Sequence, residues 1–265
     1  MMQDHHTEKI DLEWNDDDVV PPVVYPNLEF LFQQMLHLTL EEVDAKPGEL
    51  ILDVGCGKAI DGARLWEKGA KVVGLEPSRV MIARAREFLS ENNSQIALAQ
   101  GIGENLPFKP HSFDKAMCKG ALDHFFSPGK TIEEIARVLK PGGEMIISIA
   151  NFDSLGFRIG KKLYPVTKLL SPSLDKERKP WEPPPDHTYK FDYPLLSDLV
   201  KNCFQIKKTK GISLLFGLPL WGSFLSRLPH RVSYAILNVL DKLARRFPSL
   251  ADVILIKCTP IYRPK

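Results

Sequence analysis

The chain has 265 residues, of which 44% are hydrophobic, and its formal net charge is +2. This composition can fill a buried core and excludes a disordered chain, while the near-neutral charge predicts no nucleic-acid partner. The four cysteines stand far apart without a CxxC pair, which argues against a zinc cluster or a disulfide framework and favours a reducing, cytoplasmic compartment. The polar N-terminus does not resemble a secretory signal, and no apolar run reaches the ~18 residues of a spanning helix.

The first 150 residues alternate between helical and strand-like patterns. Residues 1–26 are acidic and then rich in proline, which predicts a tail or a lid, with Trp14 as a side chain suited to docking. Residues 27–150 predict a cofactor-binding α/β core that begins with a helix over 27–42. Its predicted strands are 50–54, 71–75, 96–99, 113–118 and 144–150, its further helices 58–68, 78–91 and 131–139, with a turn at 141–143. Apolar strands that alternate with helices indicate a doubly wound, mostly parallel sheet.

The pattern changes after residue 150. Residues 151–190 lack a clear period and predict an insertion or a substrate lid. Residues 191–265 are predicted to end the sheet, with a helix over 195–200, strands over 204–209 and 252–258, and an apolar helical insertion over 211–250 between those strands. Within the insertion, an apolar stripe at helical spacing predicts an amphipathic helix. The stripe consists of Val232, Ala235, Ile236, Val239, Leu240 and Leu243. The predicted fold class is therefore α/β, with seven strands and helical insertions in the second half.

A glycine-rich turn follows the first predicted strand. Asp53 and the turn Gly55-Cys56-Gly57 stand at the carboxyl end of the strand, where open α/β sheets bind ligands and glycines leave room for them. Glu76 follows 23 residues after Asp53, close to the ~20 expected of an acidic residue that holds ribose hydroxyls. Ala59 and Ile60 occupy the two usual positions of the third glycine of a dinucleotide site. The residues of this turn therefore favour a ligand with a cationic adenosyl sulfonium group over a dinucleotide.

Five motifs follow one another in a characteristic order. They are residues 51–57, 74–78, 103–108, 113–114 and 134–143. Together they resemble the class I S-adenosylmethionine-dependent methyltransferases, in particular the small-molecule group similar to the ubiquinone and menaquinone biosynthesis methyltransferases. The resemblance covers roughly residues 45–150 and, more weakly, 187–204. It implies a Rossmann-like methyltransferase fold, S-adenosyl-L-methionine as cofactor and a small-molecule methyl acceptor.

The same resemblance implies roles for the residues around the first two strands. The turn Gly55-Cys56-Gly57 would lie beside the methionine moiety of the cofactor, with Asp53 in support. Glu76, followed by Pro77, would accept hydrogen bonds from the ribose hydroxyls. Lys119 and Gly120 would close the pocket near the transferable methyl group.

At the adenine end the sequence departs from the family pattern. The loop that contains Gly103 and Glu104 would flank the adenine. Ile102 stands where the family commonly has an acidic residue, so the adenine amino group would be held by backbone groups or by Glu104. The other departure is Ala59 in the glycine turn.

Histidines near the predicted fourth strand are the candidate catalytic groups. Methyl transfer to an oxygen or a ring carbon benefits from a base whose pKa lies near neutrality, and His124 has the position expected of one. Asp123 could share that role, and a packing or helix-capping role for His124 stays open. His187 is a second candidate, in a segment that often forms part of the substrate wall in related enzymes. The remaining histidines show no ligand spacing, which predicts no metal site.

The insertion 211–250 bears on the acceptor and on the partners. It is rich in Leu, Phe and Trp, so it could cover a hydrophobic acceptor such as a lipid or an isoprenoid. It could equally form a dimer face or be an ordinary helical subdomain. As a further alternative, its arginines could contact a membrane surface, so that the cytoplasmic protein would be peripherally membrane-bound. An NAD(P)-dependent oxidoreductase and a non-catalytic protein that has kept the fold stay open as other functions. The accepting atom (O, C or N) and the oligomeric state are not predicted.

Overall fold

A computed structural model describes residues 11–17, 23–170, 179, 181–182 and 187–261. The first ten residues and the proline cluster at 183–185 lie outside these described residues. The predicted tail or lid and the predicted insertion 151–190 are therefore described only in part.

Seven strands form one sheet with the order β3-β2-β1-β4-β5-β7-β6. The strands are β1 (Leu50–Val54), β2 (Lys71–Glu76), β3 (Ala97–Gln100), β4 (Phe113–Lys119), β5 (Leu139–Ala150), β6 (Phe204–Ile212) and β7 (Val253–Pro260). The first five strands pair in parallel, and β7 pairs antiparallel with both β5 and β6. This sheet confirms the predicted fold class. The strand order reverses between β1 and β4, so the crevice at their carboxyl ends is the expected ligand site.

Helices cover both faces of the sheet. They are α1 (Pro26–Val43), α2 (Ile60–Glu67), α3 (Arg79–Glu91), α4 (Pro128–Val138), α5 (Leu155–Leu170), α6 (Tyr193–Lys201), α7 (Trp221–Ser226) and α8 (His230–Ala244). Apolar residues of α1 and α2 pack on one face, and those of α4 and α6 pack on the other. Strand β1 follows the expected alternation, with Ile51 facing the first layer and Leu52 and Val54 facing the second.

Strand β5 is interrupted by the predicted turn at 141–143. Leu139 pairs with Phe113, but Glu144 already pairs with Lys115, so four residues of β5 lie opposite Asp114 alone. The Asp114 carboxylate anchors this irregularity by accepting hydrogen bonds from the Lys140 ammonium at 2.7 Å and from the backbone N–H of Leu50 at 2.9 Å.

Helix α5 is the main element that the sequence analysis did not predict. Pro165 lies inside it, and a proline normally argues against a helix interior. Part of its apolar surface, at Leu163 and Val166, is exposed. Gly156, Gly160 and Pro165 all disfavour a helix interior, so the residue types of this segment did not predict a helix.

Helix α8 confirms the predicted helix, but its orientation is unexpected. The helix buries Ser233, Leu237 and Asp241. Of the predicted apolar stripe, Val239 is 58% exposed and Leu243 is 46% exposed. The Asp241 carboxylate explains the orientation, because it accepts a hydrogen bond from the buried backbone N–H of Ser213 at 3.1 Å. No helix in the described part of the chain is both long enough and apolar enough to cross a membrane.

Candidate cofactor and acceptor site

The glycine turn after β1 has the backbone that the sequence analysis required of it. Gly55 and Gly57 adopt φ angles of +73° and +51°, in the left-handed region. A Cβ atom at Gly55 would lie 2.5 Å from the Cβ of Ala121. Glycine at this position therefore allows the turn to lie directly against the segment that follows β4.

The carboxylate of Glu76 ties the second strand to this turn. Its Oε2 accepts a hydrogen bond from the backbone N–H of Gly57, and its Oε1 accepts one from the backbone N–H of Ser78, both at 3.0 Å. Burial raises the pKa of Glu76 above its ordinary value, and the two backbone hydrogen bonds oppose that rise. The carbonyl of Pro77 next to it accepts a hydrogen bond from Gln100. Each Glu76 oxygen keeps a lone pair for a further donor.

Asp53 lies in β1, just before the glycine turn, and is almost fully buried. Burial, reinforced by the negative charge of Asp61, raises its pKa to about 8, and the charge of Lys119 opposes this rise. The Lys119 ammonium forms an ion pair with the Asp61 carboxylate at 3.0 Å. Asp61 was not among the predicted site residues. Its position in the first turn of α2, directly after the glycine turn, is the signal that could have identified it.

The side chain of Cys56 serves packing. It belongs to a small apolar cluster with residues of α2 and α3. A Cβ atom at Gly74 would lie 2.7 Å from the Cys56 Sγ, so the thiol fills the space that this glycine leaves. Burial raises the pKa of the Cys56 thiol, which makes it unreactive. Only the backbone of Cys56 is suited to contact a ligand.

The loop that contains Gly103 and Glu104 is fixed by α4. A Cβ atom at Gly103 would lie 2.7 Å from the Thr131 side chain, so this glycine serves a close helix contact. The Glu104 carboxylate accepts a hydrogen bond from the backbone N–H of Ser127 at 3.1 Å, at the start of α4. Glu104 is thus already used in holding the loop to the helix, in the part of the molecule predicted to flank adenine.

Glu134 and Arg137 anchor the end of the same loop. The backbone N–H of Leu106 donates to the Glu134 carboxylate at 2.9 Å. The Arg137 guanidinium donates to the carbonyls of Leu106 and Phe108 at 2.9 and 2.8 Å, and it pairs with Glu134 through two nitrogens. Two of the motifs recognised in the sequence are therefore one interlocked structural unit.

The acceptor side of the crevice brings three candidate residues together. Asp123 and His124 lie in a short 3-10 helix after β4. His187 approaches from the segment before α6, with its Nδ1 2.9 Å from the Asp123 Oδ2. The ring centroids of His124 and His187 are 4.5 Å apart. The two histidines that the sequence offered as separate candidates are therefore neighbours on either side of one carboxylate.

The described part of the N-terminal segment, residues 11–17, docks across this region. The carbonyl of Trp14 accepts a hydrogen bond from the Ser78 hydroxyl at 2.5 Å, and its ring meets the His124 ring edge-on at 5.5 Å. The backbone N–H of Arg79 donates to the carbonyl of Leu12 at 2.8 Å. The segment thus connects the start of α3, next to Glu76, with the histidine pair.

Comparison with known proteins gives one family match and several partial relatives. Residues 52–147 match the model of a family described as a methyltransferase domain. Over 109 residues the chain is 36% identical to a demethylmenaquinone methyltransferase of Corynebacterium kroppenstedtii, covering 41% of this chain and 45% of that protein. Over 117 residues it is 31% identical to a ubiquinone biosynthesis O-methyltransferase of Vibrio cholerae, covering 44% of this chain and 48% of that protein. The chain thus spans about half the length of these curated relatives.

Solved structures share the fold at low sequence identity. A SAM-dependent methyltransferase of Aquifex aeolicus superimposes with a TM-score of 0.53 and 14% identity, over 84% of this chain and 88% of that chain. Similarity at this level of identity applies to the fold alone.

Proposed function

We propose that the protein transfers a methyl group from S-adenosyl-L-methionine to a small hydrophobic acceptor, a function that the match of residues 52–147 to the methyltransferase domain model supports. The observation that carries the proposal is the position of Glu76. Its carboxylate lies at the end of β2, bonded to the glycine turn and with lone pairs left for two ribose hydroxyls.

The charges around the turn favour a cationic ligand. Glu76 and Asp61 place two carboxylates beside the glycine turn, with Lys119 already paired with Asp61, and a cationic ligand would also favour ionisation of the buried Asp53. The cofactor carries a sulfonium and an ammonium group, whereas a dinucleotide would bring two phosphate charges to the same place. The missing third glycine at Ala59 points the same way, which is why the oxidoreductase is the weaker candidate.

The remaining roles follow the crevice from one end to the other. The backbone of Gly55, Cys56 and Gly57 would contact the methionine moiety, and the Gly103-Glu104 loop would flank the adenine. Lys119 and Asp61 would face the amino-acid end of the cofactor, where their opposite charges match its carboxylate and ammonium groups. Methyl transfer then requires in-line approach of the acceptor and exclusion of water.

His124 is the proposed catalytic base for an acceptor that must lose a proton. It stands beside Asp123 after β4, and Trp14 covers it from the N-terminal segment. We expect His124→Ala to lower turnover about 100-fold, within the usual contribution of a general base. His37→Ala, which removes an exposed histidine on α1, is the matched control and should leave turnover unchanged.

The acceptor and its source are proposed from the second half of the chain. The exposed apolar stripe of α8 lies beside Arg231, Lys242 and Arg246, which is the pattern of a helix that rests on an anionic membrane surface. A membrane-dissolved acceptor of lipid or isoprenoid type fits such a contact. Cosedimentation with phosphatidylserine vesicles tests it: Val239→Ser should weaken binding, and equal binding of both proteins argues against the contact.

Isothermal titration with S-adenosylhomocysteine tests the proposed activity. We expect micromolar binding by the full chain, and Glu76→Gln should weaken it at least about tenfold, since one charged hydrogen-bond acceptor is worth about 1.5–3 kcal/mol. Glu87→Gln, an exposed residue of α3, is the matched control. Preference for NAD would establish the oxidoreductase instead, and binding of neither ligand would leave a non-catalytic protein.

A further inference from the structure

Three metal-ligating side chains converge on the acceptor side of the crevice. One ligand atom each from Asp123, His124 and His187 can be chosen so that all three lie within 4.8 Å of one another. The backbone N–H groups of Thr188 and Tyr189 donate to the carbonyl of Asp123 at 2.8 and 3.2 Å, which fixes the approach of His187. The cluster is thus held by the main chain, independently of any contact between the side chains.

The side chains of Asp123 and His187 touch without forming a hydrogen bond. The His187 Nδ1 lies 2.9 Å from the Asp123 Oδ2, yet this nitrogen and the second oxygen, Oδ1, are both buried and unsatisfied in the described part of the chain. Buried polar atoms normally have partners. An imidazole nitrogen and a carboxylate oxygen that are in contact, but are not aligned for a hydrogen bond, have the arrangement expected of two metal ligands that point at a common third atom.

The charge of Asp123 also lacks a full counterpart. Its carboxylate is 2% exposed, and among the described residues the only basic groups within ion-pair distance are the imidazoles of His124 and His187. A buried carboxylate without a paired cation is costly by several kcal/mol. A divalent cation bound between these three side chains would supply the missing charge.

We propose that Asp123, His124 and His187 bind one divalent transition-metal ion. Two imidazoles and one carboxylate suit zinc, iron, cobalt or nickel better than magnesium or calcium, which prefer oxygen ligands. Three protein ligands leave at least one coordination position open to water or, if the proposed methyl transfer holds, to an oxygen of the acceptor. With a metal bound, His124 would act as a ligand, and the base role proposed above would apply only to the metal-free protein.

Co²⁺ titration of the chelator-treated full chain tests the site, followed by visible absorption and by calorimetry. We expect one equivalent to bind with the d–d bands of a nitrogen-ligated cobalt ion. Asp123→Asn and His187→Gln should each weaken binding at least about tenfold, since even residues that only support ligands have effects of that size. His37→Ala is the matched control, because His37 lies near Glu41 on the exposed face of α1 and could bind cobalt adventitiously.

The outcomes separate this site from the proposed methyl transfer. Cobalt binding that survives His37→Ala and is lost in both cluster variants supports the site. Absence of binding, or equal binding by wild type and Asp123→Asn, overturns it and leaves Asp123 and His187 as an acid–base pair. S-adenosylhomocysteine binding by each variant shows that it is folded, because the residues that line the glycine turn are outside the cluster. Cobalt binding without S-adenosylhomocysteine binding in the wild type would refute the methyltransferase and keep the metal site.

Discussion

The cofactor half of the molecule, residues 45–150, and the acceptor half, residues 151–261, are held together differently. In the cofactor half each motif is fastened to another: Glu76 bonds to the glycine turn, and Glu134 with Arg137 bonds to the 103–108 loop. In the acceptor half, helices and their flanking residues keep large apolar side chains in solvent. These are Leu163, Val166, Leu220, Phe224, Val232, Val239 and Leu243. Interlocked motifs tolerate few residue types, whereas a surface that only has to be apolar tolerates many.

Among the predicted changes in stability, Arg137→Ala in the cofactor half should have the largest effect, because it lowers the affinity for S-adenosylhomocysteine as well as the unfolding free energy. The substitution removes two hydrogen bonds to loop carbonyls and leaves the buried Glu134 carboxylate without its cation. Loss of one partner of this partly buried ion pair, together with the two loop hydrogen bonds, costs about 2 kcal/mol. We expect the free energy of unfolding to fall by that amount in denaturant titrations, and S-adenosylhomocysteine affinity to fall about tenfold.

The matched control lies in the acceptor half. Arg158 forms a comparable two-nitrogen pair with Asp153, but both side chains are about half exposed. Arg158→Ala should change the unfolding free energy by less than about 0.5 kcal/mol. Equal losses from the two arginines would show that the interlocked motifs are no more constrained than the surface of the second half.

Gly74→Ala should disturb the glycine turn from the neighbouring strand. The new methyl group would meet the Cys56 Sγ at 2.7 Å and the Leu98 side chain at 3.1 Å. Overpacking of this kind costs about 1–3 kcal/mol, measured as the loss of unfolding free energy. Adding Cys56→Ala should recover more than half of that loss, because it removes the clashing sulfur.

Gly129→Ala is the control for the Gly74 and Cys56 variants. Its Cβ would meet only Leu199, at an ordinary distance of 3.6 Å, so no loss of stability is expected. If Cys56→Ala does not restore the unfolding free energy lost in Gly74→Ala, then the close contact between these two positions is not the cause of that loss.

Local patterns predicted most of the cofactor half, for a physical reason. The backbone of the glycine turn and the carboxylate at Glu76 are needed within short stretches, so their residue types and spacing show directly in the sequence. The pairing of Asp61 with Lys119, and of Asp123 with His187, joins residues far apart in the chain. Such contacts depend on how strands and insertions bring segments together, which no local pattern records.

In the second half of the chain, local sequence patterns predicted the structure less well. The apolar stripe of α8 predicted a helix but not the face it buries, because Asp241 accepts a hydrogen bond from the distant backbone N–H of Ser213 as well as from Arg245. Helix α5 was not recognised, since Gly156, Gly160 and Pro165 disfavour a helix, and the two glycines are needed for the close approach of the 215–217 backbone. Both differences arise from tertiary contacts that override local preference.

A buried aspartate in the acceptor half should give stability a pH dependence. Burial raises the pKa of Asp252 to about 7, opposed by the hydrogen bond that it accepts from the backbone N–H of Phe216. Between about pH 4 and pH 7 the folded chain keeps a proton that the unfolded chain has lost, so this group's stabilising contribution is full below pH 4 and declines as pH rises.

Asp252→Asn isolates this effect. We expect its unfolding free energy to fall less steeply than that of the wild type between about pH 5 and pH 7, by up to ~1 kcal/mol per pH unit. Denaturant titrations at several pH values measure the difference. Parallel curves for the two proteins would mean that Asp252 is already ionised in the folded state.

Release of the N-terminal segment should give the smallest effect. Arg84 pairs with Asp16 and Asp17, and these partly exposed pairs help to hold Trp14 against Ser78 and His124. Surface pairs contribute about 0.2–1 kcal/mol, so Arg84→Ala should speed S-adenosylhomocysteine dissociation about two- to fivefold with little change in global stability. High salt should produce a similar acceleration in the wild type and a smaller one in the variant, where Asp16 keeps its pair with Lys58. Lys130→Ala, which breaks an exposed pair with Glu133 on α4, should change neither rate. If Arg84→Ala leaves dissociation unchanged, the segment is a docked tail rather than a lid.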